Sequence, residues 1–203
     1  MGKPYFEAVH EMDDDKDFYK TALFITRSIP SEETLRQRMD DIGDSLRQTI
    51  LEQNVEMLLA NKIQPTALAN GLVLVDIDVT PMDNSKSKKE GVSRTYKGFD
   101  GYTPMMAYIG TEGYAINFEL REGKQHCQKG TVEFLQEIIR LYHAHGECEQ
   151  FHSEVKTDMD LERLPSGKFA TNALILELGM IAYNILRMIG QGTIGGRAPR
   201  QKR

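Results

Sequence analysis

The chain has 203 residues, of which 40% are hydrophobic, 27% are charged and 8% are aromatic. This composition is typical of a folded globular protein and excludes a disordered or fibrous one, and the length suits one ordinary domain or two small ones. The formal charge of −5 comes from 25 lysines and arginines against 30 aspartates and glutamates. Contact with nucleic acid is therefore expected only from local basic patches.

The cysteine content and the apolar segments indicate the compartment. Two cysteines, Cys127 and Cys148, do not make a disulfide framework, and the N-terminus has no charged-then-apolar leader. A reducing cytoplasm is the expected location. The most apolar segment, 174–189, is interrupted by Glu177, Asn184 and Arg187, which predicts no membrane span and no membrane partner.

The first part of the chain, 1–66, is predicted to be a small helical N-terminal unit. Residues 1–30 indicate one short helix at most. Ser31 followed by Glu32 and Glu33 is a helix start, because serine caps free N–H groups and acidic residues oppose the helix dipole. We expect this helix to end at Gly43 and a second amphipathic helix to end near Asn61.

The central part changes to strand patterns. Residues 72–80 are β-branched and apolar without helical spacing, which predicts a strand. A polar stretch, 81–100, follows. Two further predicted strands, 103–109 and 114–120, are joined by the glycine-bracketed segment 110–113, and such a short connection indicates a hairpin. A helix is predicted next, over 131–142.

The C-terminal part is predicted to be mostly helical. A polar helix is expected over 147–158, a break at 164–167 and a long apolar core helix over 169–189. The tail, 191–203, is rich in glycine and arginine, and we expect it to be disordered. Residues 67–190 are thus the second predicted domain.

Two aspartates lie in the first predicted strand. Asp76 and Asp78 are two residues apart, so their side chains project from the same side. Because unpaired buried charge is costly, such a pair indicates a bound cation, a proton-sharing dyad or a strand end that reaches solvent. In the structural alternative, Asp76 pairs with a lysine or arginine and Asp78 caps the turn at Thr80 and Pro81.

The order of these elements, a strand with aspartates, a hairpin and a helix, is how a ribonuclease-H-like sheet begins. The stretches 76–80, 89–102, 119–123 and 149–156 resemble the DDE-type transposases of bacterial insertion sequences. One branch of that family has a signature of Tyr, two residues, Arg, three residues, Glu, six residues and Lys. Tyr142, His145, Glu149 and Lys156 stand at that spacing, with His145 in place of Arg.

The resemblance implies an α/β fold with a partial ribonuclease-H-like core, a three-stranded sheet plus helices. It also implies strand cleavage and transfer in DNA transposition, with carboxylates that hold two divalent cations, Mg²⁺ or Mn²⁺. By motif position Asp78 is the first catalytic carboxylate, with Asp76 as the alternate, and Glu149 is the third. The metal ligands are then Asp78 and Glu149. Tyr142, His145 and Lys156 would contact DNA.

The second carboxylate of the family has no counterpart here. The family places it after a fourth strand, but in this chain the predicted helix 131–142 runs almost directly into 147–158. The resemblance therefore implies an internally deleted transposase with little cleavage activity, whose partners are transposon-end DNA and a second copy in a homodimer. Two alternatives stay open: a non-catalytic DNA-binding or oligomerising remnant, and a small nuclease that uses Asp76, Asp78 and Glu149.

The polar stretch carries a candidate DNA-binding loop. Tyr96 and Tyr102 lie close enough in sequence to stack on bases beside its positive charges, although a solvated loop explains the composition almost as well. The basic residues are Lys86, Lys88, Lys89, Arg94 and Lys97. A zinc cluster of His143, His145, Cys148 and His152, with His126 and Cys127 upstream, is disfavoured because its spacing matches no standard finger.

Overall fold

The structure, a computed structural model, describes residues 6–22, 24, 26, 28–141 and 162–193. These residues form a mixed α/β fold with a 3-10 helix (Phe6–Asp13), four α-helices and two three-stranded antiparallel sheets. The α-helices are α1 (Lys16–Ala22), α2 (Glu32–Ala60), α3 (Thr131–Leu141) and α4 (Phe169–Thr193). The strands are β1 (Val75–Val79), β2 (Met82–Asp83), β3 (Ser93–Arg94), β4 (Asp100–Tyr102), β5 (Met105–Ile109) and β6 (Tyr114–Glu119).

The main sheet has the order β1-β5-β6, with antiparallel pairing throughout. The predicted sequence of strand, hairpin and helix is confirmed, since β5 and β6 form the hairpin and α3 follows. The first strand is shorter than the predicted 72–80. The mixed α/β class and a three-stranded sheet are thus present, whereas a ribonuclease-H-like identity of this core stays a prediction.

A second, small sheet with the order β2-β4-β3 occupies the stretch that the sequence indicated only as polar. Its strands have two or three residues each, too few for an alternating pattern to show. Gly101 in the central strand lies so close to β2 that an added Cβ would be 1.9 Å from the Met82 carbonyl oxygen. Glycine is therefore required for this pairing.

The main sheet separates two apolar layers. Alternate residues of β5 point to opposite faces, so Met106 and Tyr108 pack beneath α4, while Ala107 and Ile109 pack beneath α3. On the first side α4 contributes Leu176, Met180 and Tyr183; on the second side α3 contributes Phe134 and Ile138. Both helices are held by burial of one apolar face.

The expectation of two N-terminal helices is wrong, because α2 continues through Gly43. Its predicted cap is confirmed: the Ser31 side chain accepts a hydrogen bond from the Thr34 backbone N–H at 3.3 Å, and the helix ends at the C-cap Asn61. Gly43 is buried, and a Cβ there would lie 3.2 Å from the backbone carbonyl of Ala170. The glycine thus permits close approach of α2 to α4 and does not end the helix.

A buried asparagine pair joins α2, α4 and β6. Asn184 receives a hydrogen bond from the Ala115 N–H at 2.8 Å and donates to the Ala115 carbonyl and to the Asn54 side chain, both at 2.7 Å. Asn54 also donates to the Ala115 carbonyl, at 3.0 Å. These bonds satisfy the backbone of β6 on the side away from β5, and they place α2 beside β6.

Helix α4 is the one described helix that is long and apolar enough to cross a membrane by length and composition, over Phe169–Gly192. The test does not separate a span from a core helix, and 44% of the most apolar window is buried inside the fold. Its buried Glu177 pairs with Arg47 at 2.7 Å, and burial raises the pKa of this carboxyl. The predicted tail begins too early, because residues 191–193 are still helical.

Candidate functional site

The two aspartates of β1 lie on the face of the main sheet that carries the layer beneath α4. In the register of β1 and β5, Asp76 is opposite Tyr108 and Asp78 is opposite Met106. Because β1 is an edge strand of the described sheet, Asp76 is only half-buried and Asp78 is exposed. Of the possibilities drawn from the sequence, a strand end that reaches solvent fits Asp78.

The turn between β3 and β4 brings an aromatic and a basic side chain to the end of β1. The Tyr96 hydroxyl donates a hydrogen bond to the Val79 carbonyl at 3.2 Å. Partial burial raises the pKa of Tyr96, and the negative charge of Asp78 adds to this rise. The Lys97 ammonium lies 5.5 Å from the centre of the Tyr96 ring, a cation–π distance. Asp78, Tyr96 and Lys97 therefore form one exposed neighbourhood.

The five basic residues of the candidate DNA-binding loop differ in their surroundings. Lys86, Lys88 and Lys97 are exposed. Arg94 is also exposed, and its guanidinium lies 3.6 Å from Asp100. Lys89 instead points inward and donates to the Asn84 side chain at 3.2 Å and to the Leu164 carbonyl, and burial lowers its pKa.

Lys89 has a structural role, whereas the other four basic residues have accessible side chains. The inward bonds of Lys89 tie the loop to the segment before α4. The other four side chains remain accessible for contact with a phosphate backbone. Contact of any of the five with DNA stays a prediction.

Tyr102 cannot act as a base-stacking residue, and that expectation is wrong. The side chain is fully buried, its hydroxyl donates to the Glu90 carbonyl at 2.8 Å, and the same oxygen accepts a bond from Asn172 at 3.0 Å. Its ring also packs edge-on against Phe169. Tyr102 thus holds the second sheet against α4. Tyr96, with 65% of its surface exposed, remains available for stacking.

Several predicted site residues lie outside the described part of the chain. They are Tyr142, His145, Glu149 and Lys156, together with His143, Cys148 and His152 of the zinc alternative. The predicted helix over 147–158 lies there too. The convergence of Glu149 with Asp76 and Asp78 is therefore a prediction.

Asp76 and Asp78 supply the ligand chemistry that Mg²⁺ and Mn²⁺ prefer, namely carboxylate oxygens. Within residues 6–22, 24, 26, 28–141 and 162–193, no three histidine, cysteine, aspartate or glutamate side chains are grouped as metal ligands. A divalent cation bound between Asp76 and Asp78 needs further oxygens, from Glu149, from water or from a DNA phosphate.

A buried arginine that the sequence did not single out joins the end of β6 to the segment before α3. Arg121 donates to Glu119 at 2.6 Å and to the carbonyl oxygens of Cys127 and Gly130 at 3.3 Å and 3.2 Å. Its guanidinium also lies 5.7 Å from the centre of the Phe134 ring. The only sequence signal was its position inside the stretch 119–123 that carried the family resemblance.

Comparison with known proteins gives no assignment. No protein-family model matches the chain, and no curated protein or solved structure is significantly similar to it.

Proposed function

We propose that this chain is a DDE-type transposase of a bacterial insertion sequence in which the segment with the second carboxylate is missing. The observation that carries the proposal is the exposed position of Asp78 at the end of β1, beside Tyr96 and Lys97. The order of β1, the β5–β6 hairpin and α3 supports it, because a ribonuclease-H-like core begins in this order.

In this proposal each side chain has a stated task. Asp78, with Asp76 as the alternate, and Glu149 hold the divalent cations. The cations, when bound, activate a water or a 3′ hydroxyl and stabilise the leaving oxygen at the scissile phosphate. Lys97 neutralises a neighbouring phosphate, and Tyr96 offers its ring to a base.

The same proposal predicts weak chemistry. A metal pair needs several carboxylate oxygens on both ions, and without the second carboxylate the chain offers only Asp78, with Asp76 as its alternate, and Glu149. We therefore expect DNA to bind without being cut at a substantial rate.

A DNA-cleavage assay tests whether the chain lacks the second catalytic carboxylate. The substrate is a supercoiled plasmid with the DNA that flanks the gene on both sides, incubated with Mg²⁺ or Mn²⁺, and nicked and linear products are measured on a gel. The expected yield is no higher than that of Asp78→Ala, with Asp44→Ala as the control at an exposed aspartate of α2. Robust cutting that Asp78→Ala abolishes and Asp44→Ala preserves would show that the chain has a complete catalytic set.

A non-catalytic DNA-binding remnant is the second candidate, and the exposed ammonium groups of the loop favour it. Lys86, Lys88 and Lys97 are all exposed and belong to one segment. Such a surface binds the phosphate backbone through release of counterions, which makes the affinity depend on salt. This binding requires no metal and no intact carboxylate set.

DNA affinity measured against salt tests this surface. Replacing Lys86, Lys88 and Lys97 with glutamine is expected to weaken duplex binding and to reduce the slope of log K against log salt by about 0.9 for each lysine. The matched control replaces three exposed basic residues elsewhere, Lys16, Arg38 and Lys62. Fluorescence anisotropy with a labelled duplex gives both slopes. Equal slopes for the two triple variants would place the DNA-binding surface elsewhere.

A further inference from the structure

The contact between α2 and α4 contains polar connections at both ends and one in the middle. At the first end the Asp40 carboxylate accepts a hydrogen bond from the Thr171 hydroxyl. The same carboxylate lies 3.0 Å from the Arg36 guanidinium and 3.4 Å from the Lys168 ammonium. At the second end is the buried asparagine pair described above. Both ends therefore supply donors to their buried acceptors.

The middle connection is less complete. Arg47 of α2 donates to one oxygen of the Glu177 carboxylate, Oε1, at 2.7 Å. The other oxygen, Oε2, is buried and has no hydrogen-bond partner among the described residues. The Glu177 side chain is 5% exposed and that of Arg47 is 31% exposed, so water reaches the cation more readily than the carboxylate. A buried carboxylate oxygen without a donor is costly.

The charges around Glu177 add to this cost. Within the described part of the chain, Arg47 is the one cation paired with Glu177. Glu119 of β6 contributes a second negative charge, and its own cation is the buried Arg121, at 2.6 Å. Burial raises the pKa of Glu177, Arg47 opposes the rise, and the charge of Glu119 adds to it. The nearest other charged residues along α2 and α4 are Asp44, Glu52 and Arg187.

We propose that Glu177 is a proton-controlled switch for the contact between α2 and α4. With Glu177 protonated, the buried side chain carries no charge, and the two helices pack as in the structure. When the proton is released, the carboxylate requires water, so the middle of the contact opens while the two ends hold the helices together. The proposal does not rest on the proposed function, since it involves neither DNA nor catalysis.

The linkage between proton binding and folding gives the direction of the switch. Because the pKa of Glu177 is raised in the folded chain, the folded chain keeps a proton that the unfolded chain has released. This contribution to stability is fully present below the ordinary glutamate pKa, about 4.3, and is lost as the pH rises through the raised pKa. For one proton the ratio of folded to unfolded chain falls by at most about tenfold per pH unit.

Carboxyl NMR tests the titration on the unaltered full chain. With ¹³C-labelled glutamate, we expect the side-chain carboxyl signal of Glu177 to titrate with a midpoint above the ordinary value of about 4.3. Arg47→Gln removes the one described donor and should raise this midpoint further. Arg38→Gln, at an exposed arginine of α2, should leave it in place. A midpoint of Glu177 at or below the ordinary value would overturn the proposal.

Hydrogen exchange tests the opening of the contact. Protection factors, which are corrected for the intrinsic pH dependence of exchange, should fall at least about threefold for amides around Glu177 as this residue titrates. The Asn184 amide, at the second end, should keep its protection. Glu177→Gln should abolish the fall, whereas Glu133→Gln, at an exposed position of α3, should behave like the unaltered chain. Constant protection across the titration, or an equal fall in Glu177→Gln, would overturn the switch.

Discussion

Replacing Gly101 with alanine is expected to lower the free energy of unfolding by about 3 kcal/mol. The new Cβ would lie 1.9 Å from the Met82 carbonyl oxygen and 3.0 Å from the carbonyl carbon. Both are backbone atoms of the neighbouring strand, so a side-chain rotation cannot relieve the clash and β2 must separate from β4. Because β4 also pairs with β3, the turn that holds Tyr96 beside Asp78 should lose its position as well.

Urea denaturation followed by circular dichroism measures this loss, and Gly167→Ala is the control. Nothing lies within 4 Å of a Cβ at Gly167, so its stability should change by no more than about 0.5 kcal/mol. If both variants unfold at the same urea concentration, β2 and β4 do not pair as described.

Replacing Asn184 with alanine is expected to cost a similar amount, about 3 kcal/mol, for a different reason. The change removes hydrogen bonds to the N–H and the carbonyl of Ala115 and to the Asn54 side chain, all of them buried. A buried polar group without a partner is costly because it has lost water and gained nothing. The Ala115 N–H is the main loss, while its carbonyl keeps the bond from Asn54.

Leu186→Ala on the same helix is the control for Asn184→Ala, since Leu186 is 59% exposed. The same urea titration should show a change of no more than about 0.5 kcal/mol for this control. A stability of Asn184→Ala equal to that of Leu186→Ala would contradict the buried network. Hydrogen exchange at Ala115 gives an independent readout, because its amide should exchange faster in Asn184→Ala only.

Elements with a clear local pattern could be predicted from the sequence. The apolar run that contains β1, the glycine-bracketed hairpin and the serine cap at Ser31 are each specified by a few adjacent residues. The second sheet could not be predicted, because strands of two and three residues carry no periodicity. The position of Gly43 inside α2 could not be predicted either, because the glycine is needed for close approach to Ala170, which is far away in sequence.

The candidate site was predictable only in part, for a related reason. Strand geometry alone places Asp76 and Asp78 on one side of β1. Their exposure depends on β1 being an edge strand, which follows from long-range pairing and not from local sequence. Likewise, composition alone predicts that Lys89 and Tyr102 are available to contact DNA. In the fold, Lys89 is bonded to Leu164 and Tyr102 to Asn172, and both partners lie in distant segments of the sequence.

Titration of the full ¹⁵N-labelled chain with Mn²⁺ tests the central claim most directly. Paramagnetic broadening reports which amides lie near a bound ion. We predict that the signals of Asp76, Asp78 and Glu149 broaden together at the lowest Mn²⁺ concentrations, and that Asp78→Asn removes this effect at all three. Broadening of Asp76 and Asp78 that leaves Glu149 sharp would contradict the account, because the carboxylates would then not share one ion.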